Sequence, residues 1–372
     1  MLILLIVVLA ALLLAATVYA VTTFDPVFGA HAYRDAGHRL HRSLHFREGK
    51  FRNLIPTSMV SSTADKLSML RDFVKRRPNA RPAPGRVPVV QLDTAQLGGR
   101  PDQLRVTWLG HSAALLEIGG RVLLLDPMLG RAPSPFPRFG GKRYADSAPF
   151  EIAALPPIDA VIFSHDHYDH LDYGTIRTLH PKVGRFIVPL GVGAHLRRWG
   201  VDEERIEEHD WYETFDWAGF RLACMPARHF SGRGLTGRDA TLWCSWIIEG
   251  GGHKVFFSGD SGYGPHFADI GERFGPFDLT LVECGQYDPR WAAIHMTPEE
   301  TVQAHIDVRG AVLLPIHWGA FTLALHDWND PIRRASAEAA KRGVRLIAPR
   351  IGETVTVDEA EPGASPAWWS DI

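Results

Sequence analysis

Three histidines and two aspartates fall within residues 165–170, which read His-Asp-His-Tyr-Asp-His. Imidazole nitrogens and carboxylate oxygens are ligands that zinc and similar borderline metals accept. The run follows directly on a predicted apolar strand, where the backbone can turn tightly and present several side chains to one side. His165 and His167 can then face one metal, while Asp169 and His170 face a second. The sequence therefore predicts a two-metal site that activates water.

Three other predicted strands deliver a metal-binding residue at or just past their ends, namely His229, Asp260 and His317. Because the ends of neighbouring strands lie side by side, residues that are remote in the sequence can converge at one edge of a sheet. Asp260 has two carboxylate oxygens and could bridge both metals. Gly259 and Gly262 would let the backbone approach closely, because they lack a side chain. The pattern extends the cluster to seven candidate ligands.

The elements that must position these residues are strands that come in runs, with helices interspersed. Strands are predicted at Arg105–Leu109, Ala114–Ile118, Val122–Asp126, Ala160–Phe163, Arg185–Val188, Phe220–Met225, Trp243–Glu249, Lys254–Ser258, Leu279–Glu283, Ala311–Ile316, Arg345–Ala348 and Thr354–Val357. Helices are predicted at Thr175–Leu179, Val192–Trp199, His266–Phe274, Pro298–Asp307 and Pro331–Lys341. Thr297 and Glu300 form a capping-box pattern at one helix start. This order favours an α/β fold, an αββα sandwich of two mixed β-sheets with helices outside.

The first 24 residues carry no charge, and most of residues 1–20 are Leu, Ile, Val or Ala. About 20 such residues suffice to cross a bilayer as a helix. A cleaved signal peptide is the alternative, since Val18-Tyr19-Ala20 could be a cleavage site, but no Lys or Arg precedes the apolar run. Basic residues follow it, from Arg34 to Arg52, and such a flank prefers the cytoplasm. We expect a single uncleaved transmembrane anchor, with the catalytic domain on the cytoplasmic side.

Composition and charge place the chain among ordinary globular proteins. Of its 372 residues 45% are hydrophobic, and the net charge of −2 gives no basic field that would favour nucleic acid. The three cysteines form no CxxC pair, which argues against a disulfide framework or a Cys-rich zinc site. We predict a membrane anchor at 1–22, an irregular arm or linker at 23–100, a hydrolase domain at 101–358 and a tail at 359–372.

Taken together, these motifs resemble the marks of the metallo-β-lactamase fold: HxHxDH, a later His, a Gly-Asp after a strand, and a final His. Within that superfamily the chain is most similar to the N-acylphosphatidylethanolamine-hydrolysing phospholipase D group, from about Phe51 to Val357. The HxHxDH element identifies only the superfamily. Further marks are Trp108–Ser112, His229–Gly234, Trp243, Gly259–Tyr263, Tyr287–Trp291, His295–Glu300, His317–Phe321 and His326. The more selective ones are His295–Glu300 and His317–Phe321, combined with Arg233-Gly234 after His229.

The resemblance implies a site that holds two Zn²⁺ ions. It implies that one zinc is bound by His165, His167 and His229, and the other by Asp169, His170 and His317, with Asp260 shared. Tyr168 and His295 match positions that contact the lipid substrate in that family, whereas Asp166 is not expected to touch metal. The chain departs from the family in its N-terminal anchor and long arm, and in having Ser261 where Thr is common.

The implied function is that of a zinc-dependent phosphodiesterase of the phospholipase D type. It would hydrolyse N-acylphosphatidylethanolamine, or a related phospholipid, to an N-acylethanolamine and a phosphatidic acid through a hydroxide that bridges the metals. Asp169 could orient that hydroxide and take its proton, and His295 could help the alcohol leave. Expected partners are the phospholipid substrate and the membrane surface, with no nucleic acid; a homodimer is an assembly that the sequence allows.

Two alternatives stay open at this point. One is another hydrolase on the same fold, such as a nuclease, a lactonase or a β-lactamase. The other is a non-catalytic membrane-tethered protein that keeps the fold, although such proteins tend to lose ligands. Individual residues also have two interpretations: His111 could donate to a ligand or serve in a turn, Arg233 could meet a phosphate or be structural, and Trp291, Trp318 and Phe321 could line an acyl groove or the core.

Overall fold

Two seven-stranded mixed sheets form the body of the protein. The computed structural model describes residues 1–30, 37–58, 62–75, 77–138, 141–234, 236–360, 367–370 and 372. Arg34 and further parts of the predicted arm and tail lie outside these residues. A short hairpin comes first in the chain, formed by β1 Phe46–Arg47 and β2 Lys50–Phe51. The strands of the two large sheets are, in chain order, β3 Arg105–Trp108, β4 Ala114–Ile118, β5 Arg121–Leu125, β6 Ile158–Ile162, β7 Val183–Pro189, β8 Ile206–His209, β9 Thr214–Trp217, β10 Phe220–Met225, β11 Ser245–Gly250, β12 His253–Phe257, β13 Phe277–Glu283, β14 Gly310–Ile316, β15 Arg345–Leu346 and β16 Thr354–Thr356. One sheet has the strand order β16-β3-β4-β5-β6-β7-β8 and the other has the order β15-β14-β13-β12-β11-β10-β9.

The two sheets repeat one pattern of pairing. In the first, β16, β3, β4 and β5 pair antiparallel, and β5 to β8 pair parallel. In the second, β9 to β12 pair antiparallel, and β12 to β15 pair parallel. Parallel strands need covered faces, because their connections cross over as helices. The α-helices are α1 Leu2–Phe24, α2 Gly37–Leu40, α3 Thr63–Val74, α4 Tyr173–Leu179, α5 Gly193–Arg198, α6 His266–Phe274, α7 Pro298–Asp307 and α8 Asp330–Arg342.

Three layers of buried side chains hold the sandwich together. The largest cluster lies between the sheets and includes Trp108, Leu222 and Leu281. A second cluster packs α4 and α5 on the outer face of the first sheet. A third packs α6, α7 and α8 on the outer face of the second sheet. The predicted αββα sandwich of two mixed sheets is confirmed.

The sequence predicted most elements to within a few residues and missed others. The capping box at Thr297 is present, since its side chain and that of Glu300 satisfy each other's backbone N–H groups. Two short polar strands, β8 and β9, were not predicted, because their charged residues mask the strand pattern. The interpretation of 23–100 as irregular is wrong for α3, a twelve-residue helix capped by the side chain of Ser62. The boundaries at 22, 100 and 358 stay predictions.

The N-terminal helix α1 is long and apolar enough to cross a membrane, and none of its residues is buried against the rest of the chain. The segment that follows it is attached to the sandwich by hydrogen bonds. Trp199 Nε1 donates to the carbonyl of Pro26 at 2.6 Å, and the Ala30 N–H donates to His195 Nδ1 at 2.8 Å. These contacts fix the end of α1 to α5.

Candidate metal centre

The predicted metal ligands follow the carboxyl ends of four strands. The 165–170 run comes directly after β6, His229 follows β10, Asp260 follows β12 and His317 follows β14. These strands belong to both sheets, so the site lies where the ends of the two sheets meet. All seven predicted ligands are brought together there.

The first group of ligand atoms comes from three histidines. His165 Nε2 lies 2.9 Å from His167 Nδ1, which lies 3.3 Å from His229 Nε2. An oxygen of Asp260, Oδ2, is 3.8 Å from both His165 Nε2 and His229 Nε2. The four side chains can therefore place one atom each around a common point. This set matches the first predicted ligand group.

The second group lies on the other side of Asp260. His170 Nε2 is 3.1 Å from Asp260 Oδ2 and 3.6 Å from Asp169 Oδ2. His317 Nδ1 is 3.1 Å from Asp260 Oδ1. Asp169, His170 and His317 also share a possible metal position with His111. Asp260 thus borders both groups, as its predicted bridging role requires.

The polar atoms of this centre fit a cation. His170 Nε2 and Asp260 Oδ1 are fully buried, yet neither makes a hydrogen bond within the described residues. Burial and neighbouring imidazoles hold the pKa of His165 and of His317 well below the ordinary value, so their rings are neutral with lone pairs available. Burial raises the pKa of Asp260 to about 6, a cost that a bound cation would offset. Nitrogen and carboxylate donors of this kind suit zinc.

A buried carboxylate that sequence reasoning did not single out orients two of the ligands. Asp126 Oδ2 lies 2.6 Å from His170 Nδ1 and 2.5 Å from Ser164 Oγ. Ser164 Oγ in turn lies 2.9 Å from His165 Nδ1. Partners of this kind fix the tautomer and the orientation of ligating imidazoles. Asp126 directly follows β5, so the strand-end rule that found the ligands would also have found it.

His111 holds the carboxylate of Asp169 in place. Its Nε2 lies 2.9 Å from Asp169 Oδ2, and its ring is fully buried. The His317 N–H donates to the carbonyl of His111 at 3.0 Å, which joins the two loops. The His111 contact and His170 hold the pKa of Asp169 well below its usual range, although burial opposes this. Of the two interpretations of His111, donation to a ligand is the one that the structure supports.

A second carboxylate, Glu283, carries the predicted catalytic residue His295. Glu283 ends β13 and is fully buried; its Oε2 lies 2.9 Å from His295 Nδ1, and its Oε1 accepts the Met296 N–H at 2.6 Å. Burial raises the pKa of Glu283 well above its usual range and lowers that of His295. The pair therefore retains a proton beside the centre. Glu283 was also missed, although it too stands at a strand end.

The remaining predicted polar residues lie behind the metal loop. Asp166 accepts hydrogen bonds from the Gly232 N–H at 2.8 Å and from Thr241 at 2.9 Å, and its lack of contact with metal stays a prediction. Arg233 is buried and structural, since it donates to the carbonyls of Asp166 and of Leu171. Tyr168 donates its hydroxyl to the Arg233 carbonyl at 2.5 Å and does not line the metal cavity. Its predicted substrate contact stays a prediction.

A cavity of about 210 Å³ opens onto both ligand groups and onto His295. Gln286, Trp291, Ile294 and Leu323 form its other walls. A neighbouring cavity of about 430 Å³ shares His229, Phe230 and Ile294 with it and extends along residues 51–57 of the arm. Trp291 thus lines the site, whereas Trp318 and Phe321 are buried in the core, so an acyl-groove role is wrong for these two.

Two glycines allow the close approach that the sequence predicted. A Cβ at Gly259 would lie 2.5 Å from the Cβ of Ser164, and Gly259 has a positive φ of 56°. A Cβ at Gly262 would lie 2.1 Å from the carbonyl oxygen of Ala293. Any side chain at either position would push Asp260 away from the ligands that it faces.

Comparison with known proteins agrees with this geometry. Residues 121–318 match the model of the β-lactamase superfamily domain. An uncharacterised protein of Mycobacterium tuberculosis is 43% identical over 336 residues, 88% of each chain. The N-acyl-phosphatidylethanolamine-hydrolyzing phospholipase D 1 of Caenorhabditis elegans is 32% identical over 238 residues, 60% of this chain and 66% of that protein.

The fold recurs in a solved metallo hydrolase of Ignicoccus hospitalis, Igni18, with a TM-score of 0.53 and 20% identity over 68% of this chain and 97% of that one. The chain belongs to the β-lactamase superfamily. Within it, the protein is a metal-dependent hydrolase of the metallo-β-lactamase fold.

Proposed function

We propose that this protein is a zinc-dependent phosphodiesterase of the phospholipase D type, acting on N-acylphosphatidylethanolamine or a closely related phospholipid. The observation that carries the proposal is the convergence of the seven predicted metal ligands beside His295, in a chain similar to a phospholipase of that name. The products would be a phosphatidic acid and an N-acylethanolamine. The same ligand set supports two Zn²⁺ ions as the cofactor.

The ligands would hold the metals as two groups with Asp260 between them. Bound there, two zinc ions would supply an activated water and neutralise charge on the phosphoryl oxygens. Asp169, held by His111 at 2.9 Å, presents its carboxylate at the edge of the cavity, where it can orient the water and accept its proton. One P–O bond forms to the water oxygen, and the P–O bond to the ethanolamine oxygen breaks.

His295 is placed to act on the departing oxygen. Its Nδ1 is taken by Glu283, so Nε2 is the nitrogen left for the substrate. Because Glu283 retains its proton and can donate it to Nδ1, the imidazole carries its own proton on Nε2. That N–H can donate to a phosphoryl oxygen and can pass its proton to the departing alkoxide oxygen, while the Glu283 proton moves to Nδ1 and keeps the imidazole neutral. His295 is thus the catalytic residue, and Glu283 is its positioning residue.

The membrane location belongs to this proposal as well. A phospholipid substrate resides in a bilayer, and α1 is long enough to cross one. We propose that α1 is an uncleaved anchor and that the basic residues after it keep the catalytic domain on the cytoplasmic side. Labelling of the chain in intact and permeabilised cells would test the side.

The experiment that tests the function is a substrate panel. Purified full-length protein with two equivalents of zinc is incubated with N-acylphosphatidylethanolamine, bis(p-nitrophenyl) phosphate, a lactone and a β-lactam. We expect turnover of the lipid to exceed the others, and we expect His165→Ala to reduce it by several orders of magnitude and to lower the bound zinc. His253→Ala, a histidine at the start of β12 remote from the ligands, serves as the matched control and should retain activity.

The alternatives predict different results. Preferred turnover of the lactone, the β-lactam or a nucleic-acid phosphodiester would overturn the lipid assignment and leave a hydrolase of another specificity. Full zinc loading with no turnover of any substrate would indicate a non-catalytic membrane-tethered protein. Fewer than one zinc per chain with lipid turnover intact would overturn the two-metal proposal.

A further inference from the structure

The helix α3 exposes apolar residues and turns polar ones inward. Leu67, Leu70, Phe73 and Val74 are exposed by 67%, 61%, 46% and 76%. Successive helical residues rotate by about 100°, so these four cover an arc of about 120°. Beyond residue 24, nine large hydrophobic residues are exposed within the described part of the chain, and four of them lie on this one helix. We call these four residues the outward face of α3.

The opposite side of α3 is attached to the rim of the metal cavity by polar contacts. Ser68 Oγ accepts from Arg290 Nη1 at 3.3 Å, and Asp72 Oδ2 accepts from the same nitrogen at 3.1 Å. Arg290 is held in turn by Asp288, to which its Nε donates at 2.7 Å. The next residue, Trp291, lines the metal cavity. The helix therefore lies beside the cavity mouth, with its outward face turned away from these contacts.

The cations of this segment lie at or beside the outward face. Lys66 and Arg71 of the helix and Lys75, which directly follows it, are exposed, and Arg71 Nε lies 3.7 Å from Asp72 Oδ1. The acidic residues lie at the back, where Asp65 belongs to the N-cap of the helix and Asp72 pairs with Arg290. An apolar stripe with flanking cations is the pattern of a helix that lies in the interface of an anionic membrane.

We propose that the outward face of α3 docks on anionic phospholipid and holds the mouth of the metal cavity against the bilayer surface. This membrane contact is separate from the α1 anchor and does not depend on the reaction catalysed. A second copy of the chain is a poorer occupant. A symmetric dimer through this face would bring Lys66, Arg71 and Lys75 against their own copies, and like charges so placed repel each other.

The test places a spin label on the outward face of the full-length protein. The native cysteines Cys224, Cys244 and Cys284 are buried, so Leu70→Cys offers the accessible thiol. The labelled chain is reconstituted in vesicles of phosphatidylcholine and phosphatidylglycerol, where α1 keeps every variant attached. We expect the label at 70 to be more accessible to oxygen than to a water-soluble nickel chelate. Ile306→Cys, on another exposed apolar helix position, is the matched control and should show the reverse.

Several outcomes would overturn the proposal. A label at 70 that is as accessible to the nickel chelate as the label at 306 would show that the outward face lies in water. If the label at 70 is immersed to the same depth in vesicles of phosphatidylcholine alone, the contact does not require anionic lipid and that part of the proposal is wrong. Label-to-label broadening at 70 in lipid-free detergent would identify a second copy as the occupant. A Leu67→Cys label repeats the measurement should Leu70→Cys perturb the helix, and none of these readouts requires activity.

Discussion

The metal centre and the helix α3 treat polar and apolar side chains in opposite ways. At the metal centre, histidines and carboxylates are buried and most polar atoms have a partner, while His170 Nε2 and Asp260 Oδ1, which make no hydrogen bond within the described residues, belong to the possible metal-ligand groups. On α3, four large apolar side chains face outward, while Ser68 and Asp72 face the protein. Each arrangement is unfavourable for an isolated chain in water, so each indicates something that binds there.

The difference also separates two kinds of energetic contribution. The sandwich gains its stability from apolar groups removed from water, which are worth roughly 25 cal/mol per Å². The outward face of α3 leaves such groups in water, so it contributes little to folding. The outward face therefore contributes through binding rather than folding, just as the buried polar side chains of the metal centre contribute by binding metal. This contrast can be tested with substitutions that are chemically identical in the two regions.

The largest expected effect is the contrast between Leu281→Ala and Leu70→Ala. Leu281 is fully buried between the sheets, and Leu70 is exposed. Deletion of a buried leucine side chain leaves a cavity and costs about 2–5 kcal/mol, whereas a surface change usually stays within about 0.5 kcal/mol. We expect the thermal midpoint in detergent micelles to fall by several degrees for Leu281→Ala only. Comparable losses for both variants would show that α3 packs on protein rather than facing outward.

The same contrast explains what could be predicted from the sequence. His229, Asp260 and His317 were found because each follows an apolar run, and the position of a residue at a strand end is a local property. Asp126 and Glu283 obey the same rule, but they were counted as strand residues rather than as side chains at the edge of the sheet. The local pattern divided the 165–170 run between two metals, whereas the groups of His229 and His317 could be assigned only through a resemblance, which the geometry then matched.

Other features could not be read locally. α3 was missed although Leu67, Leu70 and Val74 have helical spacing, because residues 23–100 were interpreted from their high content of Arg, His and Pro. The role of Arg233 depends on partners that are remote in sequence, including the carbonyl of Val27, to which it donates at 2.9 Å. The hydrogen bond from the Tyr168 hydroxyl to the Arg233 carbonyl likewise joins residues that are remote in the sequence. Hydrogen bonds between distant segments leave no periodic signal in either one.

A smaller effect is expected from Asp126→Asn, which tests whether buried carboxylates at the metal centre serve the metal or only the fold. The amide keeps the shape but removes the charge that orients His170 and Ser164. Loss of such a partner typically weakens metal binding by about 10–100-fold. We expect a zinc competition titration with a chromophoric chelator to show that loss.

The matched control is Glu117→Gln, which changes a buried carboxylate that pairs with Arg105 at 3.0 Å, away from the ligands. Glu117→Gln should lower the thermal midpoint without changing zinc affinity. Equal zinc affinity in the Asp126 variant and in the wild type would mean that Asp126 is needed for folding and not for the metal.

The smallest expected effect comes from Glu283→Gln, which separates orientation of His295 from proton storage. The Gln amide can still donate to His295 Nδ1, so the imidazole keeps its N–H on the cavity side. We expect kcat of Glu283→Gln to fall by no more than about tenfold while KM is unchanged. In Glu283→Ala, which loses the contact with His295, kcat should fall by about 10²-fold.

The pH profile tells the two roles apart. Because burial raises the pKa of Glu283, the wild-type pair loses its shared proton only as the pH rises through that raised value. The activity of the wild type should therefore decline on the basic side, and in Glu283→Gln, which cannot lose this proton, the decline should move to higher pH. An identical basic limb in both proteins would show that Glu283 only holds Met296 and the loop in place, and that the proton on His295 comes from elsewhere.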